Sequence, residues 1–530
     1  MRRWNGWGDD SVVYSLPASA LRFINQKLGL SQITPDASLE EALKGVPKSR
    51  LPRHPLVSTE PLPRLLHARG QSFPDWVELR SGRISLYPDG VAYPTSEEDV
   101  TQLLQFAHQR GIHIIPYGGG TSVVGHIDPV KSKAPVLTVD MSRMNRLIDL
   151  RPDSLLASFG AGVCGPDLEA QLRARGFTLG HFPQSFEYST LGGWVATRSS
   201  GQQSLRYGRI EKLFAGGRLQ TPLGELELPS FPASAAGPDL REMVLGSEGR
   251  LGILTQVSVR INPIPEREDF HAVFFPDFQH GVEAVRQILS SGITLCMLRL
   301  STSGETSTTL ALAGHVNLIG ALERLLGMRG LGEDKCLLLL GFSGKSNLVQ
   351  AHRKETLDIT GKWGGVHVGK TFGEQWHKNR FRTAYLRNTL WEHGYGVDTI
   401  ETATDWGNTP RMVEQVEGAL RDSMQGFGEP VHIFTHLSHV YPQGSSVYTT
   451  YIFKLAPDPQ ETLDRWRGMK SAASQAICAQ GGTISHQHGV GTDHLPYLSA
   501  EKGRLGMSAL AALCRQFDPK GIMNPGKLVV

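Results

Sequence analysis

The sequence predicts an α+β protein whose chain divides into an extension, two mixed domains and a closing segment. Helical and strand-like patterns alternate through the first mixed domain, which is typical of α/β architecture. Pro263 and Pro265 interrupt the chain before a second mixture of helices and strands begins. A Gly/His-rich loop, Ser485–Gly491, opens the closing segment. The predicted units are a Pro-rich extension (1–85), the first domain (86–265), the second domain (266–475) and the C-terminal segment (476–530).

The first domain begins with an amphipathic helix over Thr95–Arg110, for which Thr95 or Ser96 is the expected cap. Acidic residues occupy its first turn, where the helix dipole favours them, and Gly111 ends it. A short β-branched strand, Ile112–Ile115, then enters a run of glycines. Further strands are expected at Val136–Asp140, Leu155–Phe159 and Leu251–Ile261, and a further helix at Pro166–Arg175.

The second domain combines helices and strands without a regular alternation. The spacing of its apolar residues predicts helices over Gly281–Ser290 and Leu310–Leu326. The closing segment carries one more helical pattern, Gly503–Gln516. The strands expected in the second domain are Thr294–Leu300, Cys336–Gly341 and Val447–Lys454.

Composition narrows the class of protein. A hydrophobic fraction of 40% over 530 residues is that of a globular protein with a sizeable core. The formal net charge of +3 is small, and without a Lys/Arg run it gives no reason to expect nucleic acid as a partner. Five scattered cysteines argue against a disulfide framework or zinc site. No segment reaches about 18 consecutive apolar residues, and no export signal is recognisable, so a cytoplasmic enzyme is expected.

The run Pro116–Gly125 is the first candidate functional motif. Its three consecutive glycines allow backbone N–H groups to converge, and such a nest binds anions such as a pyrophosphate. The spacing matches neither a Walker loop nor a Rossmann fingerprint. Taken alone, the run is better explained as a tight turn. Two later runs, His181–Gly193 and Gly246–Ile253, supply further small residues suited to a phosphate or a flat ring.

The three runs in this order resemble the FAD-binding family of vanillyl-alcohol oxidase and p-cresol methylhydroxylase. The resemblance implies a two-subdomain FAD-binding domain of the p-cresol methylhydroxylase type, an α+β cap domain that takes the substrate, and a C-terminal segment that returns to the active site. It also implies FAD as the cofactor. The implied FAD contacts are Pro116, Tyr117, Gly118, Gly119, Gly120, Thr121, Ser122, Pro183, Ser185, Ser189, Thr190, Gly192, Gly193, Glu248, Gly249 and Ile253.

Histidines form the remaining motifs. Some members of that family attach FAD covalently through His or Cys, but His126 is interpreted as an ordinary loop histidine. His486 and His488 suit proton transfer because imidazole titrates near neutral pH, and no cluster of further ligands favours a metal there. His432, His436 and His439 superficially suggest a metal site, yet Val431–Phe434 has a strand pattern, and we interpret them as structural.

A closer resemblance covers nearly the whole chain and points to the alkyl-dihydroxyacetonephosphate synthases, the ether-lipid enzymes of this flavoprotein family. It is carried by Trp4-Asn5-Gly6-Trp7-Gly8, by Gly192–Gly201 and by Ser485–Gly491. The first of these motifs is absent from the ordinary FAD oxidases of the family. The resemblance implies that His181, Arg299, Arg387, Tyr448, His486 and His488 form the active site, with Gln487 between the last two.

These residue types fit the implied chemistry. The Arg387 guanidinium suits a substrate phosphate, and a tyrosine such as Tyr448 beside a flavin and a cation can have its pKa lowered enough to take a proton. Gln487 departs from the family, which has a histidine at that position. Glutamine cannot shuttle a proton at neutral pH, so either His488 and Tyr448 carry the proton transfer or the chemistry differs.

The resemblance therefore implies an FAD-dependent transferase without net redox. It would exchange the acyl chain of acyl-dihydroxyacetonephosphate for a long-chain alcohol through a covalent flavin N5 adduct. A homodimer in peripheral contact with a membrane is the implied setting. Two alternatives stay open: an FAD-linked dehydrogenase or oxidase of a 2-hydroxy acid or alcohol, and a flavin-fold protein without catalytic activity.

Overall fold

Four β-sheets organise the part of the chain that the computed structural model describes, residues 2–314 and 316–529. A four-stranded sheet, a five-stranded sheet and a two-stranded ribbon form the first half, and a seven-stranded sheet forms most of the second. Helices cover these sheets, so the predicted α+β class is confirmed.

The N-terminal extension packs on the rest of the protein instead of forming a core of its own. Phe73 and Trp76 are fully buried in a cluster that consists mainly of residues from the seven-stranded sheet and its helices. Ser72 begins their helix with a capping box. The Ser72 hydroxyl accepts the Asp75 N–H, and the Asp75 carboxylate accepts the Ser72 N–H. The elements of this segment are α1 (Ala18–Leu28), α2 (Leu39–Lys44), β1 (Val57–Ser58), α3 (Pro61–Leu66) and α4 (Phe73–Ser81).

The first sheet has the order β1-β2-β4-β3, in which β2, β4 and β3 are parallel. Its strands are β2 (Gly90–Ala92), β3 (His113–Tyr117) and β4 (Val136–Asp140), and α5 (Glu97–Arg110) precedes β3. Ser96 is the cap of α5, as expected, and accepts a hydrogen bond from the Asp99 N–H. Gly111 ends this helix with a φ of 63°, in the left-handed region that favours glycine.

The second sheet is antiparallel in the order β5-β6-β10-β8-β9, and β11 pairs with β7 in the separate ribbon. The hairpin β8–β9 and strand β5 were not predicted from the sequence. The elements of this region are β5 (Leu147–Arg151), β6 (Leu156–Gly160), α6 (Gly165–Arg173), β7 (Phe177–Thr178), α7 (Leu191–Thr197), α8 (Ser204–Tyr207), α9 (Ile210–Leu213), β8 (Phe214–Thr221), β9 (Gly224–Leu228), α10 (Arg241–Val244), β10 (Ile253–Arg260) and β11 (Asn262–Pro263).

The seven-stranded sheet is antiparallel in the order β15-β12-β14-β13-β17-β18-β16. Its interior strand β14 is buried along its whole length. The elements are β12 (Arg267–Phe275), α11 (Phe278–Ser290), β13 (Met297–Ser301), α12 (Ser303–Leu312), α13 (Val316–Met328), β14 (Cys336–Gly344), α14 (Ser346–Lys362), β15 (Val366–His367), α15 (Thr371–Asn379), α16 (Leu386–Glu392), β16 (Tyr395–Asp405), α17 (Thr409–Gln425), β17 (Val431–Leu437), β18 (Gly444–Lys454) and α18 (Pro459–Ala479).

Two helical predictions need correction. The single helix expected over Leu310–Leu326 is two helices, α12 and α13, because Gly314 lies between them with a φ of 73°; residue 315 lies outside the described residues. The closing helix is longer than expected, α19 (Leu498–Phe517), and Gly503 kinks it with a φ of 65°. In addition, α18 runs across residue 475, where the sequence suggests the start of the C-terminal segment.

The C-terminal tail returns to the first sheet. Met523 forms a parallel bridge with Ile114 of β3, and the Asn524 N–H donates to the Ile114 carbonyl at 2.7 Å. The tail therefore lies beside the strand that leads into the first glycine run. Among the described residues, no helix is both long enough and apolar enough to cross a lipid bilayer.

Candidate active site

The first loop (Pro116–Gly125) begins where the buried strand β3 ends. Ile114 and Ile115 of this strand are almost fully buried, and the chain leaves the sheet at Gly118. Within the described chain, the N–H groups of residues 118–122 donate no hydrogen bond. Consecutive unpaired N–H groups form a concavity that attracts anions, so this loop is built to hold a group such as a pyrophosphate.

The second loop (His181–Gly193) and the third loop (Gly246–Ile253) pack directly against the first. A Cβ atom at Gly119 would lie 1.8 Å from the Tyr188 carbonyl oxygen, and one at Gly118 would lie 2.2 Å from the Thr190 Oγ1. On the other side, a Cβ atom at Gly249 would lie 2.9 Å from the Pro116 ring. The glycines are therefore required for close approach, and the three loops converge as their sequence order suggested.

Several side chains among the expected FAD contacts are already engaged by the protein. The Ser189 hydroxyl accepts a hydrogen bond from the Trp194 indole at 2.7 Å, and the Thr190 hydroxyl caps α7 by accepting the Gly193 N–H. Ile253 points into the hydrophobic core of the first sheet. Ser189 and Thr190 each keep an O–H that can donate to a cofactor, whereas Ile253 offers only its backbone.

Glu248 and His126 join the loops to the C-terminal segment. The His126 ring lies 2.8 Å from the Ser122 hydroxyl and 3.0 Å from the Glu248 carboxylate. That carboxylate also accepts the N–H groups of Val490 and Gly491. Burial alone would raise the pKa of Glu248, but His126 and these N–H groups hold it below the usual value. Glu248 was expected to contact FAD, whereas its carboxylate docks the C-terminal loop.

A dinucleotide such as FAD fits these residues. The free N–H groups of the first loop match the charge of a pyrophosphate, and the second loop adds a histidine whose ring is only half satisfied. His181 is fully buried, with one ring nitrogen 2.8 Å from the Ser199 hydroxyl and the other without a hydrogen-bond partner in the described chain. Burial lowers the pKa of His181 to about 3, so the ring is neutral.

A second group of residues gathers around Glu401 of β16. One oxygen of its buried carboxylate accepts hydrogen bonds from the N–H groups of Gln487 and His488, at 2.7 and 2.9 Å, and from the Ser485 hydroxyl at 3.0 Å. The other oxygen lies 3.4 Å from the His486 ring. Burial pushes the pKa of Glu401 upward, yet His488, His486 and the N–H groups hold it well below the usual value. Glu401 therefore anchors the C-terminal loop (Ser485–Gly491) as a charged carboxylate.

Tyr448 of β18 lies beside this loop. Its ring stacks on His436 of β17, with centroids 4.9 Å apart, and meets His488 edge to face at 5.7 Å. Arg299 of β13 donates to Glu305 and lies 3.2 Å from His436, which itself lies 2.9 Å from the other Glu305 oxygen. The structure thus brings Arg299, Tyr448 and His488 together, with His436 and Glu305 between them.

The protonation of this cluster corrects one expectation. Burial raises the pKa of Tyr448 to about 12. The Thr399 hydrogen bond opposes this rise, the charges of Glu401 and Asp398 add to it, and Arg299 lowers the pKa least. The expected lowering of this pKa is therefore wrong for the chain alone, because the burial of the phenol outweighs the effect of the nearby guanidinium. Burial also lowers the pKa of His488 and His486 below the ordinary value. The cluster at neutral pH is a phenol among neutral imidazoles.

His439 and Tyr441 complete the other side of the C-terminal loop. The Tyr441 hydroxyl lies 2.6 Å from the His486 ring, and His439 stacks on the same ring with centroids 5.0 Å apart. His439 in turn lies 3.1 Å from the Ser200 hydroxyl, close to the His181 partner Ser199. The second loop and the C-terminal loop are therefore connected through these histidines.

The three histidines that we interpret as structural, His432, His436 and His439, lie in two different places. His436 stacks on Tyr448 and His439 stacks on His486, so both belong to the candidate site, whereas His432 packs against Phe23. Across the described residues, no group of three or more His, Cys, Asp or Glu side chains is placed to hold a metal ion.

Arg387 lies on α16, apart from the tyrosine and histidines. One amino nitrogen donates to the Gln71 carbonyl, and the guanidinium stacks over Trp76 at 4.2 Å. The other amino nitrogen is buried without a hydrogen-bond partner in the described chain. Burial lowers the pKa of Arg387 to about 10, so the side chain stays charged at neutral pH. It remains free to make a bond to an anion.

Gln487 contributes its backbone to the site, since its N–H donates to Glu401. Its half-buried side chain makes no hydrogen bond to the described chain. The residues that the sequence did not indicate as functional are Glu305, His436, His439 and Tyr441. Glu401 was not indicated either; a buried acid in the middle of a strand pattern is the signal that could have identified it.

Comparisons with known proteins agree with this architecture. A family model described as an FAD binding domain matches residues 88–228, and one described as FAD linked oxidases, C-terminal domain, matches residues 264–528. Alkyldihydroxyacetonephosphate synthase of Dictyostelium discoideum is 32% identical over 99% of this chain and 93% of its own length. The protein of the same name from Trypanosoma brucei brucei is 29% identical over 99% of this chain and 92% of its own length.

Solved structures give the same result. A structure of alkyldihydroxyacetonephosphate synthase is 30% identical and superposes with a TM-score of 0.84 over 99% of this chain and 98% of that one. p-Cresol methylhydroxylase, at 16% identity, superposes with a TM-score of 0.68 over 94% of this chain and 99% of its own, which indicates a shared fold. The predicted p-cresol methylhydroxylase-type fold and the FAD cofactor are confirmed.

Proposed function

Because the chain belongs to the alkyldihydroxyacetonephosphate synthase family of FAD-dependent enzymes, we propose that it replaces the acyl chain of an acyl-dihydroxyacetonephosphate with a fatty alcohol. The products are an ether lipid precursor and a free fatty acid, and the exchange involves no net redox. The observation that supports this assignment best is a pair of neutral proton-transfer side chains beside the converged FAD loops: His488, whose N–H a buried carboxylate accepts, and Tyr448, whose ring meets His488 edge to face.

The first, second and third loops would hold FAD, whose isoalloxazine supplies an electron sink during the exchange. The protein positions the substrate and moves its protons. His488 is neutral because burial lowers its pKa, so it can accept the proton that leaves the substrate carbon. Tyr448 keeps its proton at neutral pH and can donate a hydrogen bond to the oxygen that departs or arrives.

Arg387 is the proposed partner of the substrate phosphate. Its stacking on Trp76 and its bond to the Gln71 carbonyl fix the guanidinium while leaving one amino nitrogen free. A planar, permanently charged group with a free donor suits a phosphate oxygen. Arg299 is proposed to add positive charge beside Tyr448, held in place by Glu305.

His181 is proposed to line the cofactor site from the second loop. Its unpartnered ring nitrogen is buried, and its neutral state allows it to donate or accept one hydrogen bond. Gln487 offers a side chain that can bond to the substrate but cannot carry a proton, so His488 is proposed to replace the histidine that the family has at this position.

We also propose a peripheral contact between α13 and a membrane, because both substrates are lipid-like. Leu318, Leu325 and Met328 are 70%, 44% and 78% exposed on this helix. Their spacing places them on one side of the helix, and the exposed Arg324 and Arg329 flank them. Apolar side chains flanked by arginines are typical of helices that lie in the interface of an anionic bilayer. Sedimentation with anionic and neutral vesicles would test this contact.

A cytoplasmic homodimer is the proposed setting. Light scattering coupled to size-exclusion chromatography would measure the mass in solution, and a monomer mass would contradict the dimer.

The activity itself is tested with the purified holoenzyme under anaerobic conditions. With palmitoyl-dihydroxyacetonephosphate and hexadecanol, we expect release of palmitate and formation of the ether, without an added electron acceptor. Arg387→Ala should raise the KM for the phosphate substrate, whereas Arg286→Ala, which removes an exposed arginine of α11, serves as the matched control. Stable reduction of the flavin by 2-hydroxy acids, without ether formation, would instead identify a dehydrogenase.

A further inference from the structure

The motif Trp4-Asn5-Gly6-Trp7-Gly8 has no role in the chemistry proposed above. It nevertheless lies between the cofactor loops and α16, the helix that carries Arg387. We call Arg2–Gly8 the strap. The strap closes on itself where the Arg3 N–H donates to the Gly8 carbonyl at 2.8 Å, and its Trp7 side chain is 8% exposed. An extended terminal segment of this kind is ordered only where the rest of the protein holds it.

One end of the strap contacts the cofactor loops. The Arg2 guanidinium donates to the Gly119 carbonyl in the first loop. It also lies 5.9 Å from the ring of Tyr188 in the second loop. Trp7, which belongs to the opposite end of the strap, also reaches these loops and meets the same Tyr188 ring edge to face at 5.7 Å. The strap therefore braces both loops at the point where they pack against each other.

The other end of the strap is held by α16, the helix that carries Arg387. The Asn388 carboxamide accepts the Trp7 N–H at 3.0 Å and donates to the Trp7 carbonyl at 2.9 Å, so it pairs with the backbone as a second strand would. Asn388 is 3% exposed, so water does not compete for these bonds. This contact also explains why the motif has glycine at two positions.

Both glycines of the motif are needed for that fit. A Cβ atom at Gly6 would lie 2.5 Å from the Asn388 side-chain oxygen, and one at Gly8 would lie 2.2 Å from the Tyr385 ring. Gly8 also has a φ of 81°, which side chains rarely adopt. The strap can approach α16 this closely only because these positions lack side chains.

Gln71 makes a parallel connection between the same two places. Its N–H donates to the Ser122 carbonyl in the first loop at 2.6 Å, its carbonyl accepts Arg387, and its side chain donates to the Gly6 carbonyl at 3.3 Å. A continuous set of hydrogen bonds thus links the first loop, the strap and Arg387.

We infer that the strap couples the cofactor loops to the substrate-binding helix, with Asn388 and Arg2 as positioning residues at its two ends. The inference rests on the proposed function for the identity of the ligand at Arg387. Release of the strap from α16 frees the opposite end as well, so Asn388, which lies outside the three cofactor loops, contributes to FAD affinity. Reciprocally, a phosphate ligand at Arg387 tightens FAD binding.

The test is the dissociation constant of FAD, measured by titrating the full-length, deflavinated protein. We expect Asn388→Ala and Arg2→Ala each to raise this constant about tenfold, since each removes the bonds that hold one end. The double variant should be no weaker than either single variant, because a strap released at one end is already released. Thr389→Val is the matched control: it removes one hydrogen bond from α16 to the Tyr14 carbonyl, beyond the strap, and should leave FAD affinity within twofold.

Two further measurements separate this inference from a merely structural role. Trypsin should cleave after Arg2 or Arg3 in Asn388→Ala but not in the Thr389→Val control, because only the first variant releases the strap. Asn388→Asp keeps the acceptor for the Trp7 N–H but sets a carboxylate oxygen against the Trp7 carbonyl, so it should also release the strap and weaken FAD binding. It replaces the alanine variant if that one does not fold.

The outcomes distinguish the inference from the proposed function. An FAD affinity of folded Asn388→Ala equal to that of the wild type, or effects of the two variants that add, would overturn the inference. Dihydroxyacetone phosphate is the ligand probe, and it should tighten FAD binding in the wild type and not in Asn388→Ala. If the variants behave as expected but this probe has no effect on the wild type, the strap inference holds and the assignment of Arg387 to the phosphate fails.

Discussion

Replacement of Glu401 by glutamine removes the charge that holds the C-terminal loop while keeping the shape of the side chain. One oxygen of the wild-type carboxylate accepts three hydrogen bonds, from Ser485, Gln487 and His488. Hydrogen bonds to a charged acceptor contribute about 1.5–3 kcal/mol, and those to a neutral acceptor about 1 kcal/mol. The glutamine amide oxygen can still accept the same three donors, but without the charge.

The expected loss is therefore about 1 kcal/mol for each bond, or about 3 kcal/mol in all. A neutral amide is less costly to bury than a carboxylate, which offsets part of this loss and leaves about 2 kcal/mol. If this difference is expressed in the transition state, kcat/KM falls about 30-fold, since about 1.4 kcal/mol corresponds to a factor of ten. Glu401 also raises the pKa of His488 against the effect of burial. The pKa of His488 should therefore fall in the variant, and the acid limb of its pH–activity profile should move to a lower pH.

The assay is ether formation as a function of pH, with FAD content and thermal unfolding measured on the same preparations. Glu417→Gln is the matched control, because this carboxyl group of α17 accepts a hydrogen bond from Thr435 and, within the described residues, forms no hydrogen bond or ion pair with the C-terminal loop. It should change kcat/KM by less than about twofold, as expected for one hydrogen bond outside the site. Wild-type kcat/KM in Glu401→Gln, with an unchanged acid limb, would refute the reasoning.

Three further predictions concern single residues. Tyr448→Phe should lower kcat by about 10²–10⁴ with little change in KM, measured as ether formation, and an unchanged kcat would exclude the phenol from proton transfer. Gly119→Ala should yield protein with little bound FAD by absorbance, because its Cβ atom would lie 1.8 Å from the Tyr188 carbonyl; full FAD occupancy would contradict this packing. The pKa of His181 is about 3 in the folded protein, against the ordinary histidine value of 6.5 in the unfolded chain. The folded state therefore binds fewer protons between these values, and stability falls as the pH decreases below 6.5. At pH 5 this cost is about 2 kcal/mol, and His181→Asn should show a smaller loss of thermal stability between pH 7 and pH 5.

Much of the first half of the fold follows from local patterns. The strand Val136–Asp140 was predicted with the bounds it has, and the helix before the first loop begins one or two residues after the expected caps. These segments carry their own signals, namely a β-branched run, a capping serine and a terminating glycine. The three glycine runs were also recognisable, because backbone segments that approach each other closely require glycine, and glycine can be read from the sequence.

The arrangement of the candidate site could not be predicted in the same way. Glu305 and His436 are 131 positions apart in the chain and meet only because β13 and β17 are neighbours in the seven-stranded sheet. The pKa of Tyr448 depends on Glu401 and Asp398, which lie on β16, the partner strand of β18. Strand order of this kind is not encoded in periodicity, and protonation follows from it.

The contacts of Asn524 have a consequence for how the protein is made. Its side chain donates to the carbonyls of His126 and Glu248, and so clamps the first loop to the third. During synthesis the glycine loops leave the ribosome hundreds of residues before this asparagine does. The clamp can therefore form only after the tail has been synthesised, so we expect firm binding of FAD to be a late step in the maturation of the protein.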